Sequence, residues 1–347
     1  MNKRTMTVTS SEQKQAWNDR RVPAPEEIAP GFWMVAIPMP VADMPYSFSY
    51  VKLGEDGVYI LDPGWGEPAN IDVWSKFLKA HGRKIADIVM ILVTHSHPDH
   101  IGLTTVLRER SDAELVTSSG EAAILRGEVK TGLKDLEIIE RRLERWGVPA
   151  QVREQMLAGF GPNNRSVAPI PDRIIEDGDE INFGGSSLTA VLTPGHTSGH
   201  MCFVDHDSAK IITGDHVLPQ ISPGLGLGAS PESDPVFDYI LALEEMAQFD
   251  HCEVLPGHEY RFTGLAERSE QIAAHHLRRS RAFRELEPDL GDATVWEYAS
   301  LAPWSRGWKN LEGFMLHSAL TQTELHLISL RNGSLDRWLD GTWAMEP

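Results

Sequence analysis

Ile88-Val89-Met90-Ile91-Leu92-Val93 runs into Thr94 and then into His95-Ser96-His97-Pro98-Asp99-His100. The apolar run reads as a buried strand, and the six residues after Thr94 read as a turn at its end that holds four potential metal ligands. Imidazoles and a carboxylate crowded at one strand end would repel, or stay unsatisfied, without a cation to share. That donor set suits zinc, iron or manganese.

On either side of this stretch the pattern alternates between strands and helices. Upstream, Phe32–Ile37, Ser47–Leu53 and Gly57–Leu61 have strand character, with Gly54 to Gly57 supplying a turn. Ile71–Leu78 has helical spacing. Downstream, a helix is expected over Gly102–Arg110 and a strand over Ala113–Thr117. Strand, helix, strand, helix in succession predicts an α/β layered fold. Residues 120–164 are charged and helical, and they separate two strands whose direct connection needs only a few residues, so they read as an insertion and a candidate lid. Strand-like runs return at Ser187–Leu192, Met201–Val204, Lys210–Thr213 and Cys252–Leu255. From about Gln271 the chain turns helical, over Gln271–Leu286, Thr294–Ser300 and Phe314–Asn332. A hairpin is expected over Leu335–Trp343, which makes the tail resemble a winged helix.

The chain has 347 residues, 41% apolar and 24% charged, with a formal net charge of −18. That profile predicts a globular protein with one large domain and an appendage. The negative charge argues against affinity founded on nucleic-acid phosphates or anionic lipid. The tail does not reverse this, carrying ten Lys and Arg against twelve Asp and Glu from Arg261 onward. Residues 1–10 never reach an apolar core, and no run approaches the roughly 18 apolar residues that span a bilayer. A cytoplasmic protein with no membrane association is therefore expected. Two cysteines, Cys202 and Cys252, are too few for a disulfide framework and read as packing.

Three later strand-end turns carry ligand types: Thr193-Pro194-Gly195-His196, Thr213-Gly214-Asp215-His216 and Leu255-Pro256-Gly257-His258. Taken with His95-Ser96-His97-Pro98-Asp99-His100, their order resembles the metallo-β-lactamase superfamily over about 31–261. The resemblance implies an αββα sandwich with two divalent metal ions at one edge, most naturally zinc, with iron or manganese as alternatives. It assigns His95, His97 and His196 to the first metal and Asp99, His100 and His258 to the second, with Asp215 bridging them. Asp62 would orient the histidine motif from behind, and His200 would support a ligand or line the pocket. The implied organisation is an N-terminal extension over 1–30, a catalytic domain over 31–265 with the insertion at 120–164, and a winged-helix-like domain over 266–347.

Two cations sharing one water lower its pKa toward neutrality, so the resemblance implies a hydrolase in which a bridged hydroxide is the nucleophile and Asp99 relays the proton. Asp99 makes the chain resemble the glyoxalase II, lactonase and nuclease branches. The segment Asp215–Pro223 and the tail resemble the β-lactamase-like protein 2 group. A small-molecule ester, thioester or lactone is the expected substrate, with a nuclease or phosphodiesterase as the alternative. The stretch Pro38–Tyr46 is expected as a loop that offers Met39, Met44 and Tyr46 to an apolar substrate. Trp296, Trp304, Trp308, Trp338 and Trp343 are available to pack on the main domain or across a homodimer.

Overall fold

Strand Val58–Leu61 is buried at every position, as an apolar run without alternation must be when both faces of its sheet are covered. The computed structural model describes residues 5–41, 43–128, 136–159, 169–226 and 233–340. Within them are two seven-stranded sheets. The first runs, in spatial order, Glu26–Ala29, Phe32–Val41, Met44–Leu53, Val58–Leu61, Ile88–Leu92, Glu114–Ser118 and Arg173–Ile175. The second runs Thr7–Val8, Phe262–Thr263, Glu253–Pro256, Lys210–Gly214, Met201–Asp205, Ser186–Leu192 and Glu180–Phe183.

Period-two alternation sends each strand's side chains into two different layers. Phe32, Met34, Phe48, Tyr50, Leu61 and Leu92 of the first sheet face Phe183, Leu188, Phe203, Ile212 and Leu255 of the second. Their neighbours Val35, Ile37, Val51, Ile60 and Ile91 turn outward beneath Trp74, Phe77 and Leu78 of helix Asn70–Ala80. On the far side, Val204, Ile211 and Val254 lie beneath Tyr239 and Ile240 of helix Pro235–Glu245. Ile272, Ala273 and Leu277 of helix Leu265–Leu290 complete that layer. The layers are therefore αββα. Both cysteines are buried, and burial raises the Cys202 thiol to about 12.

Topology brings the ligand turns to one edge. Val58–Leu61, Ile88–Leu92 and Glu114–Ser118 pair in parallel, so Asp62, the His95 turn and Ser118 follow strand ends on the same side. In the second sheet Lys210–Gly214 pairs in parallel with Glu253–Pro256. Ser186–Leu192 points the same way, through an antiparallel step on either side of Met201–Asp205. The turns of His196, Asp215 and His258 thus share that edge, in the crevice beyond the carboxyl ends of the strands.

Several sequence expectations are revised. The expected loop Pro38–Tyr46 is largely ladder: Phe32–Val41 and Met44–Leu53 pair almost to the hairpin tip, and the register shifts between Pro38 and Val41. A shift there absorbs prolines that have no N–H to donate. The helix expected over Gly102–Arg110 is shorter, Thr104–Arg108, and a separate turn of helix, Pro98–Ile101, precedes it. The segment 1–30 supplies an edge strand to each sheet, Thr7–Val8 against Phe262–Thr263 and Glu26–Ala29 against Phe32–Met34. Among the insertion's described residues, Leu136–Arg145 and Ala150–Gly159 are helices. Ile139, Leu143 and Trp146 pack on Leu316, Ala319 and Leu320 of helix Gly313–Arg331. Arg142 and Arg145 both pair with Glu324 of that helix.

The hairpin expected over Leu335–Trp343 is corrected: Asp336–Leu339 is helix, and 341–343 lie outside the described residues. Leu335 and Trp338, three apart, are both buried, with Leu339 packed beside them. That is helical spacing. Trp338 Nε1 donates to Glu244 Oε1 at 2.7 Å, and the Arg337 guanidinium lies 3.9 Å from the Trp338 ring centroid. Among the described residues, no helix is long and apolar enough to cross a membrane.

Candidate metal centre

Three of the ligand-bearing turns place a glycine directly before the ligand. Gly214 adopts φ +47, and a Cβ there would lie 2.8 Å from His200 Nε2 and 3.0 Å from Thr94. Gly257 sits so close that a Cβ would meet Asp215 Oδ1 at 2.5 Å and His100 Cε1 at 2.8 Å. The turns can therefore converge only where the side chain is absent. Asp62 itself has φ +56, a conformation that Asp tolerates when its carboxylate bonds locally. Its Oδ1 accepts from Thr94 N at 2.8 Å, and its Oδ2 accepts from Thr94 Oγ1 at 2.7 Å and from His100 Nδ1 at 2.8 Å.

The outward nitrogens of His95, His196 and His258 are engaged, which fixes where the other nitrogen of each ring points. His95 Nδ1 lies 3.0 Å from Thr94 Oγ1, whose proton goes to Asp62. His196 Nδ1 donates to Gly224 O at 2.6 Å, and His258 Nδ1 donates to Tyr46 O at 2.9 Å. The Nε2 atoms of His95 and His196 then present lone pairs, and both lie 3.0 Å from His97 Nδ1. Three ring nitrogens converge with at most one proton among them. His95, His97, His196 and Asp215 form one such group of ligand atoms, and Asp99, His100, Asp215 and His258 form another.

In the second group His258 Nε2 lies 3.2 Å from Asp99 Oδ2 and 3.4 Å from Asp215 Oδ1. His100 Nε2 lies 3.4 Å from Asp215 Oδ1 and 3.8 Å from Asp99 Oδ2. Asp215 divides its oxygens, with Oδ2 3.7 Å from His196 Nε2 in the first group. His100 Nε2, His258 Nε2 and Asp215 Oδ1 are all buried without a hydrogen-bond partner among the described residues. Orphaned buried atoms of this kind need an explanation. A cation at the centre of each group satisfies all of them, so the donor set fits divalent metal.

The electrostatics separate the groups. Burial, reinforced by neighbouring His100 and His97, holds His95 well below its usual range, and burial with His97 lowers His196 to about 4. These rings are neutral and ready to ligate. Burial also opposes charge on His100 and His258, but carboxylates overturn it. Asp215, Asp99 and Asp62 hold His100 well above its usual range, and Asp215 and Asp99 raise His258 to about 10. Asp99 stays below its ordinary value despite burial because His100 and His258 face it. A site that stabilises two ring protons so strongly is a site of negative potential.

The seven proposed ligands and Asp62 are thus brought together, and His200 supports them from behind. It is fully buried, with Nδ1 2.8 Å from Thr193 Oγ1 and Nε2 accepting from Asp215 N at 3.2 Å. It therefore holds the Asp215 turn and lines no open pocket. Tyr46 is also corrected: it is 0% exposed, packed on Trp17 and Phe48, and its hydroxyl donates to Glu259 O at 2.9 Å. Strand pairing turned it into the core. Met44 is half-buried against the inter-sheet core, and Met39 is half-buried on its strand.

Sequence reading missed Thr94, which links Asp62 to His95, although its place beside the motif was a signal. It also missed Glu121, whose carboxylate accepts from both Ser96 N and Thr197 Oγ1. Nothing in the sequence marks Glu121, because its partners come from two different ligand turns.

This geometry agrees with comparison to known proteins. The family model of the metallo-beta-lactamase superfamily matches residues 43–258, and the chain belongs to that superfamily. The hydroxyacylglutathione hydrolase of Rhizobium johnstonii is 28% identical over 208 residues, covering 59% of this chain and 62% of that protein. The acyl-coenzyme A thioesterase MBLAC2 of Gallus gallus is 28% identical over 197 residues, covering 54% of this chain and 62% of that protein. The chain therefore spans less than two thirds of the length of these curated relatives. Among solved structures, a metallo-beta-lactamase family protein from Thermus thermophilus has a TM-score of 0.70 at 24% identity. That match covers 88% of this chain and 95% of the other, and it is a likeness of fold.

Proposed function

We propose that the chain is a metal-dependent hydrolase of small acyl compounds, holding two divalent cations, zinc by the donor set, in its two ligand groups. His95, His97 and His196 would hold one, Asp99, His100 and His258 the other, and Asp215 both. The observation that carries this reading is Asp215, whose Oδ2 faces His196 of the first group and whose Oδ1 faces His100 and His258 of the second, with no hydrogen-bond partner for Oδ1 among the described residues. Bound cations of this kind supply Lewis acidity and a water acidic enough to act as a nucleophile near neutral pH.

The chain's own residues would do the rest. Asp99, whose Oδ2 lies 3.2 Å from His258 Nε2, would take the nucleophile's proton and return it to the leaving group. His200 and Asp62 keep Asp215 and His100 aimed inward, so little reorganisation accompanies the reaction. Among an ester, a thioester and a lactone, the thioester is favoured, because two relatives are named for an acylglutathione and an acyl-coenzyme A, both acyl groups carried on sulfur.

Metal-replete protein should be assayed against p-nitrophenyl esters, acyl thioesters, lactones, bis-p-nitrophenyl phosphate and single-stranded RNA. Thioester turnover at the highest kcat/KM is the expected result. Cleavage confined to the phosphodiester substrates would overturn the acyl reading in favour of a nuclease or phosphodiesterase. Asp215→Ala should lose at least one bound metal and lower kcat about 100-fold or more, on the scale of losing one main stabilising group. Unchanged metal content and rate would sink the two-cation reading.

A further inference from the structure

The turn carrying His97 follows a strand of the first sheet, and the turn carrying His196 follows a strand of the second, yet one carboxylate joins them. Glu121, on helix Ser119–Leu125, is 0% exposed. Its Oε2 accepts from Ser96 N at 2.8 Å and its Oε1 from Thr197 Oγ1 at 2.5 Å. Ser96 lies between His95 and His97, and Thr197 directly follows His196. The same helix start is pressed against the His196 turn. Ser118 Oγ donates to Gly199 O at 2.6 Å, and a Cβ on Gly199 would lie 2.4 Å from Glu121 N.

We propose that Glu121 is a positioning residue that sets the separation of the His97 and His196 turns, and through it the geometry of the first ligand group. This rests on the two-cation reading above. The mechanism follows from how hydrogen bonds transmit position. The ring nitrogens of His95, His97 and His196 must meet at one point from three directions. Other bonds cross between the sheets there, Met201 N to Thr94 O at 3.0 Å and Ser118 Oγ to Gly199 O at 2.6 Å, but neither holds Ser96 or Thr197, the residues beside His97 and His196. Two charge-assisted bonds from a single buried carboxylate are short and directional, so they fix both turns to one rigid group. Such partners behind metal ligands are worth about 10–100-fold in metal affinity.

The test compares Glu121→Leu, Glu121→Gln and Thr197→Val with the wild type by chelator competition for zinc and by the visible spectrum of the cobalt(II) protein. Leucine keeps the volume but leaves Ser96 N–H without an acceptor. Glutamine keeps an oxygen for Ser96 N–H and offers its amide N–H to Thr197 Oγ1, so it should rescue. Glu121→Leu is expected to weaken one of two zinc ions about 10–100-fold, with an altered cobalt spectrum, while Glu121→Gln stays within about threefold of wild type. Thr197→Val should weaken the same ion by a smaller factor. Wild-type affinity and spectrum in both Glu121→Leu and Thr197→Val would overturn the proposal, as would a loss in Glu121→Gln equal to that in Glu121→Leu. If Glu121→Leu fails to fold, Glu121→Gln and Thr197→Val decide it. The wild type's metal count tests the two-cation reading separately. One ion in place of two overturns that reading, and the variants' affinities for the remaining ion still decide Glu121.

Discussion

Tyr46 and Asp62 illustrate how a residue's neighbours, more than its type, set its role. Tyr46 is amphipathic enough to line a pocket, but the ladder from Phe32–Val41 to Met44–Leu53 turns it inward, where Glu259 O receives its hydroxyl. Its backbone oxygen holds His258 Nδ1 whatever the side chain. Tyr46→Phe should therefore lower stability by about 1–3 kcal/mol, the effect of leaving a buried carbonyl unpaired, with metal content and KM unchanged. Chemical denaturation and metal analysis check this, and a changed KM at unchanged stability would return Tyr46 to the pocket. Asp62 was marked in the sequence only through the family resemblance, and its bonds to His100 and Thr94 belong to the folded structure. Glu121 was not legible, because its meaning exists only where two turns from different sheets meet.

Among the elements, strand identity was well marked by apolar runs and glycine-rich turns, since a strand buried on both faces must be apolar throughout. Element ends and short tail elements were less visible. Helix Leu265–Leu290 begins six residues earlier than its periodic part suggested, because its first turns pack on the sheet and need not be amphipathic by themselves. The segment after Asn332 carries tryptophan and threonine that suit a hairpin, but Leu335 and Trp338 bury on one helical face. Trp338→Ala should then lower stability by about 3–5 kcal/mol, as for other buried aromatic truncations. Urea denaturation measures it, and a loss below about 1 kcal/mol would mean that Trp338 is not the anchor the structure shows.

Across the whole molecule, helix Gly313–Arg331 joins the tail to the insertion through Leu316, Ala319 and Leu320, and to the sandwich through Gln322, whose Nε2 donates to Leu225 O at 3.1 Å. Its partner, helix Leu265–Leu290, adds a buried polar seam. His326 lies between His276 and Phe283, with Ser280 Oγ 2.7 Å from its Nδ1. Burial, with Arg279 and His275 nearby, holds His326 well below its ordinary 6.5. Above that pH neither the folded nor the unfolded state carries the proton, so His326 makes no pH-dependent difference. Below it the unfolded state takes a proton that the folded state refuses, and stability falls. Stability should fall through this histidine as pH drops from about 6.5 to 5. The thermal-stability gap between wild type and His326→Gln should therefore narrow over that range, and a gap independent of pH would refute the assignment.

By itself the sequence determined the layered fold and marked the turns that carry the candidate ligands, because apolar runs, glycine turns and clustered imidazoles are local signals. Only the tertiary structure decided that Tyr46 is core, that Glu121 ties two turns together, and that the tail packs on the insertion. Each of these depends on which distant segments become neighbours, and burial and hydrogen bonding are properties of those neighbourhoods rather than of residues taken in order.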